Sequence, residues 1–157
     1  MHAEPQEIPS STTWMDAFFH VNTWLNKRLE EDLAKADFPL TSAQFHLARL
    51  LHLHGPLTIG EIADMLSCTA PTASGIVDRL EKQNLAFRAR LSKDKRIVYV
   101  LLSEQGSADL SAFMQRWTKQ MEADITTWTN EETHLAWKQA LLAIHQKQSA
   151  PLSADHD

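Results

Sequence analysis

The spacing of apolar residues constrains this chain more than any other feature. Through most of its 157 residues they recur every three or four positions, and over one stretch the period drops to two. Residues 14–35 carry Trp14, Phe18, Val21, Leu25, Leu29 and Leu33, the stripe of an amphipathic helix. Residues 42–54, with Phe45, Leu47, Leu50 and Leu51, predict a second helix ended by "HGP". In "TIGEIADML", Thr58 and Glu61 stand at the three-residue spacing of a reciprocal cap. The stripe Ile59, Ile62, Ala63 and Leu66 then predicts a third helix of about two turns. "SCTAPTASGIVDRLEKQNL" follows at once. Thr69 caps a fourth helix there, and Pro71 fits its first turn, where a missing N–H costs no bond. Ala73, Ile76, Val77 and Leu80 face inward, while Ala70, Thr72, Ser74 and Gly75 leave the outer face small or polar.

From Leu85 the pattern changes. "AFRARL" and "RIVYVLL" alternate or are β-branched, and "SKDK" lies between them as a turn. This predicts a two-stranded hairpin. Helical spacing returns over residues 104–128 through Leu110, Phe113, Met114, Trp117, Met121 and Ile125, and a last helix spans roughly 131–147. The fold class is mainly α, organised as residues 1–37, 38–103 and 104–157: a tail and helix, a central domain, and C-terminal helices with a tail.

Composition narrows the setting. Hydrophobic residues make up 43% of the chain, enough for a core. No apolar run reaches the ~18 residues of a membrane helix, and "MHAEPQEIPSSTT" lacks the basic-then-apolar order of a signal peptide. Cys68 is the single cysteine, so no intrachain disulfide forms, which suits a reducing compartment. A cytoplasmic protein without membrane contact is expected.

The charge is unevenly placed. The whole chain carries −5, yet Arg88, Arg90, Lys93, Lys95 and Arg96 gather five cations in nine residues. Residues 67–103 hold seven Lys/Arg against three Asp/Glu, a net of +4, between flanks of −5 (residues 1–66) and −4 (residues 104–157). A central basic block between acidic flanks is the footprint of a local anionic partner.

Two short helices separated by "SCT", then a basic two-stranded ribbon, follow the order of a winged helix-turn-helix. Its second helix has a slim outer face that lets the backbone approach a major groove. Hydroxyls and helix N-terminal N–H groups bond phosphate there, and the ribbon reaches along the sugar–phosphate backbone or into the minor groove. Double-stranded DNA is the expected partner. The aromatic residues Trp14, Phe18, Trp24, Trp117, Trp128 and Trp137 lie outside the central domain. They call for a shared burial site, which the N- and C-terminal helices of two copies would supply by interdigitating as dimerisation helices. Such a homodimer presents two recognition helices to successive major grooves, about 34 Å apart.

"LSCTAPTASGIVDRLEKQNL" followed by "DKRIVYVLLSEQG" resembles the multiple antibiotic resistance regulator (MarR) family. The family's wing signature, Asp-x-Arg then Leu-Thr and a Gly, is matched by Asp94, Arg96, Leu102 and Gly106, with Ser103 in place of Thr. Pro71, Thr72, Ser74, Asp78, Arg79, Leu80 and Glu81 match a common recognition-helix pattern. The resemblance implies a homodimer on a pseudo-palindromic operator, usually a repressor relieved by a small molecule or oxidant. It places Thr69, Ala70, Pro71, Thr72 and Ser74 at the major groove and lets Arg79 reach a phosphate or brace the wing. Arg88, Arg90, Lys93, Lys95 and Arg96 form the wing, with Arg96 at the minor groove and Asp94 orienting an arginine. Gly75 departs from the pattern, since many relatives carry a longer residue there, so the wing should supply more of the affinity. The family's effector pocket would fall on Phe18, Ser42, Phe45, His46, Phe113 and Trp117, a lining suited to a flat aromatic or phenolic ligand.

Other chemistry finds little support in the chain. Eight histidines are present, but His52 and His54 stand two apart and point to different helix faces. No His-x3-His or Cys-x2-Cys pair offers a metal site, and no cofactor is expected. Cys68 reads as a small apolar turn-filler. No phosphate-cradling loop or nucleophile motif suggests an enzyme. A winged-helix module for a protein partner, and a redox- or metal-responsive regulator, remain as alternative readings.

Overall fold

The computed structural model describes residues 13–36, 40–91 and 96–149. Its elements are α1 (Trp14–Ala34), α2 (Ser42–His54), β1 (Leu57–Thr58), α3 (Ile59–Met65), α4 (Ala70–Lys82), β2 (Ala86–Ala89), β3 (Tyr99–Leu102), α5 (Glu104–Trp128) and α6 (Glu131–Ser149). They fall into two compact units, the first ending at Phe113 and the second beginning at Met114. None of the described helices is long and apolar enough to cross a membrane.

Threonine starts four of these helices. Thr13, Thr41 and Thr58 each form a reciprocal box, with Asp16, Gln44 and Glu61 returning a side-chain bond to the cap residue's N–H. Thr69 caps α4 ahead of Pro71. Hydrogen bonds from the hydroxyl and then the backbone of Thr13 hold the Asp16 carboxyl below its ordinary pKa. The backbone and then the hydroxyl of Thr58 do the same for Glu61. Each box ties donors that would otherwise lack a partner at a helix start.

The core of the first unit is built from the stripes the sequence predicts. Ala73, Ile76, Val77 and Leu80 of α4 are buried, together with Leu47, Leu51, Ile62, Leu33 and Val100. Each paired helix then ends in a left-handed residue. Ser67 (φ 51°) closes α3, with the Cys68 N–H on the Ala63 carbonyl at 2.9 Å. Asn84 (φ 58°) closes α4, with the Leu85 N–H on the Leu80 carbonyl at 2.9 Å. These wrapped ends turn the chain sharply, first into α4 and then into the hairpin.

The hairpin gains a strand that the sequence did not predict. β3 pairs antiparallel with β2, Arg88 opposite Val100, and also with β1, Leu57 opposite Val100 and Thr58 opposite Tyr99. The sheet order is β1-β3-β2. Two residues are too few for a period to register, and Thr58 serves both as strand end and as the cap of α3. The paired strands are also shorter than "AFRARL" and "RIVYVLL", because pairing stops at Ala89 and Tyr99. Residues 92–95, the expected turn, lie outside the described residues.

One junction joins α4, the hairpin and α5. The Ser103 N–H donates to the Leu85 carbonyl at 3.0 Å. Its hydroxyl donates to the Asn84 carbonyl at 2.7 Å and accepts from the Gly106 N–H at 2.9 Å. Ser103 thus caps α5 while holding the start of the wing. Gly106 passes so close that a Cβ there would sit 2.1 Å from the Leu85 oxygen.

The apolar stripe of α1 is divided. Leu29 and Leu33 are buried, but Trp14, Phe18 and Phe19 are 75%, 57% and 58% exposed. In the second unit Trp128, Leu135, Leu141, Leu142 and Ile144 are also exposed. Of the six aromatic residues expected to need a shared burial site, Trp14, Phe18 and Trp128 are exposed, whereas Trp24, Trp117 and Trp137 are half-buried within the single chain.

Gly106→Ala is expected to destabilise the fold by about 1–3 kcal/mol, since backbone rather than a flexible side chain blocks the methyl. Gly75→Ala, where a Cβ meets nothing within 4 Å, should stabilise α4 by up to about 1 kcal/mol. Thermal unfolding of the two variants beside the parent checks both signs.

Candidate nucleic-acid interface

The turn at Ser67 and Cys68 sets the start of α4 outward. Thr69, Ala70, Pro71 and Thr72 are all exposed at that end. The Thr69 hydroxyl accepts from the Thr72 N–H at 3.3 Å, and the two hydroxyl oxygens lie 2.9 Å apart. The first turn therefore presents two linked hydroxyls beside the positive end of the helix dipole, an arrangement suited to phosphate or base edges. Ser74 and Gly75, one turn on, are half-buried, and Arg79 and Lys82 are exposed in the last turn.

The wing cations have different surroundings. Arg90 and Arg96 are exposed. Lys93, Lys95 and Asp94 lie outside the described residues. Arg88 turns back to α4, whereas Arg90 and Arg96 are exposed. One guanidinium nitrogen lies 2.8 Å from Asp78 Oδ1 and donates to Ser74 Oγ at 3.1 Å. The other meets the Glu81 carboxylate. The backbone N–H of Arg88 donates to Glu81 Oε1 at 2.9 Å. The sequence reading grouped Arg88 with the open wing cations; strand alternation explains the difference, since Phe87 faces solvent and Arg88 faces the helix. Arg88, Ala89, Arg90 and Val98 together line an open groove at the end of the paired strands nearer the turn.

The charge pattern sharpens as a result. Asp78 and Glu81 are both tied to one guanidinium, so the exposed cations Arg79, Lys82, Arg90 and Arg96 dominate the outward electrostatics of this face. Sequence reasoning missed this role for Asp78 and Glu81. Two acids three apart inside an otherwise basic block were the available signal.

Among the residues expected at an effector pocket, the structure gathers three. Phe45 packs edge-to-face on Phe113 (centroids 5.6 Å) and on His46 (5.7 Å). Phe45 and Phe113 are buried core residues, and His46 and Ser42 are half-buried. Phe18 instead meets Phe19 on the exposed half of α1. Trp117 belongs to the second unit, and its indole N–H is buried without a hydrogen-bond partner. Cys68 is half-buried in the helix-turn-helix turn. No group of three His, Cys, Asp or Glu that could hold a metal occurs among the described residues.

Two tight helices, a capped recognition helix and a small sheet with a cationic edge define the winged helix-turn-helix class. Comparison with known proteins agrees. The MarR family model matches residues 40–98. The repressor NicR of Pseudomonas putida is 31% identical over 115 residues, covering 70% of this chain and 73% of NicR. The regulator FarR of Neisseria gonorrhoeae is 36% identical over 67 residues, covering 43% of this chain and 46% of FarR. The chain therefore spans about half the length of FarR. The crystal structure of MepR, a transcription regulator of a Staphylococcus aureus multidrug efflux pump, superposes with a TM-score of 0.70 at 24% identity, over 87% of this chain and 99% of MepR. The chain belongs to the MarR family, whose matched members are named as helix-turn-helix transcriptional regulators.

Burial, and then the nearby Arg49, holds the His46 pKa below its ordinary value. The folded state therefore resists protonation that the unfolded state accepts below about pH 6.5. This contribution is complete above that pH and declines as the pH falls through the window beneath it. Melting temperatures between neutral and mildly acidic pH should fall more for the parent than for His46→Gln; parallel curves would contradict the assignment.

Proposed function

We propose that the protein is a transcriptional regulator, acting as a repressor, that grips a pseudo-palindromic operator as a homodimer and is released by a small aromatic or phenolic effector. One observation carries the DNA-binding reading. The outer face of α4 and the wing is cationic and hydroxyl-bearing, and its two acids, the part-buried Glu81 and the exposed Asp78, are both paired with Arg88. Thr69, Thr72 and Ser74 contact the major groove from α4. Arg79 and Arg90 meet phosphates, and Arg96 enters or flanks the minor groove with Lys93 and Lys95 beside it and Asp94 orienting it. A MepR variant bound to an oligodeoxyribonucleotide shares this fold with a TM-score of 0.63 at 24% identity, and NicR is named a repressor. Both support the reading. The cluster of Phe45, His46 and Phe113 supports an aromatic effector near α2.

Titration of a labelled duplex from the promoter region of the protein's own gene, over a salt series, tests it. Arg96→Ala should weaken binding by roughly 1–3 kcal/mol and lower the salt slope by about one phosphate's worth. Gly75→Ala should change neither by much. Absence of salt-sensitive, sequence-selective binding would favour a protein-binding module instead.

The uncovered aromatic half of α1 supports the dimer. Sedimentation at micromolar protein is expected to give twice the chain's 17.8 kDa mass. A clean single-chain mass would contradict it.

A further inference from the structure

Arg88 has surroundings unlike those of a cation that contacts DNA. Ser74, Asp78 and Glu81 stand at i, i+4 and i+7 on α4, one stripe along the helix. The Arg88 guanidinium spans that stripe, bonded to the hydroxyl and paired with both carboxylates. Its side chain is 28% exposed and that of Glu81 29%. A planar fork with fixed donors suits this bridging, which a lysine ammonium could not reproduce. Two carboxylates on one guanidinium leave it no net positive charge to offer a phosphate. The strand itself is tied as well, because the Arg88 N–H is bonded to Glu81.

We infer that Arg88 is a positioning residue that sets the angle between wing and recognition helix and makes no contact with DNA. The inference rests on the DNA-binding reading above. Three consequences follow from the geometry. Wing and helix can address neighbouring grooves only while their relative orientation is held, and this clamp holds it near the centre of the pair. The Arg88 guanidinium offsets one of the two negative charges of Asp78 and Glu81 where they would otherwise repel phosphate. By donating to Ser74 Oγ, Arg88 turns the serine proton away from the guanidinium, so that Ser74 addresses its target as a donor.

The experiment compares the full chain with Arg88→Lys, Arg88→Ala, the Asp78→Asn/Glu81→Gln pair and Arg96→Ala. Binding to the labelled promoter duplex is measured over a salt series, and folding is monitored by circular dichroism. A positioning role predicts that both Arg88 variants weaken binding about tenfold with an unchanged salt slope. It also predicts that the acid pair variant weakens binding, although it removes two negative charges from a DNA-facing helix. A phosphate contact predicts the reverse: a slope lowered by about one in Arg88→Ala, as in Arg96→Ala, and tighter binding when the acids are neutralised. That second pattern would overturn the inference. Should Arg88→Ala not fold, Arg88→Lys and the acid pair variant carry the same discrimination. A parent protein without salt-sensitive binding refutes the functional reading and this inference with it, whereas a parent that binds isolates the test to Arg88.

Discussion

The fold turns on a backbone crossing between Leu85 and Gly106. The chain leaves α4, makes the wing, and returns to start α5 against the residue where the wing began. Ser103 fastens the crossing through three hydrogen bonds, two of which go to the carbonyls of Asn84 and Leu85 just past the end of α4. No side chain fits between the two backbones. Recognition helix, ribbon and α5 are consequently set from one point, and the wing cannot shift at its base without opening that contact. A junction of backbone bonds also imposes little on the exposed faces, which leaves their residues to meet a partner.

Across the wing from that junction, Arg88 supplies the second tie. The two fastenings differ in chemistry: one is neutral and backbone-based, the other ionic and made of side chains. The ionic one organises charge as well as position. In a protein of net charge −5, α4 and the wing form a small face on which two acids are paired with one arginine while Arg79, Lys82, Arg90 and Arg96 are exposed. Local arrangement, rather than total charge, then determines what the face attracts.

Much of this was legible in the sequence. The starts of α3 and α4 were visible because Thr58 has Glu61 three residues on and Thr69 has Pro71 in the first turn behind it, and such local bonds need no tertiary context, whereas α1 and α2 were read from apolar spacing. The inward stripe of α4 was visible for the same reason. β1 was not, because a two-residue strand exists only through its partner β3. Nor was the direction of Arg88, since composition counts a cation without saying which way its strand faces. The residues expected at an effector pocket were the least legible. Phe45, His46 and Phe113 meet in space across 67 residues of sequence separation or more between Phe113 and either partner, and the same rings serve ordinary core packing.

The uncovered aromatic half of α1 also has a thermodynamic consequence. A second copy that covered Trp14, Phe18 and Phe19 would bind the folded chain and not the unfolded one, and so add to stability by mass action. Resistance to heat is then not a constant of the single chain but a quantity that climbs with the amount of that partner in solution. A value obtained at one dilution does not transfer to another.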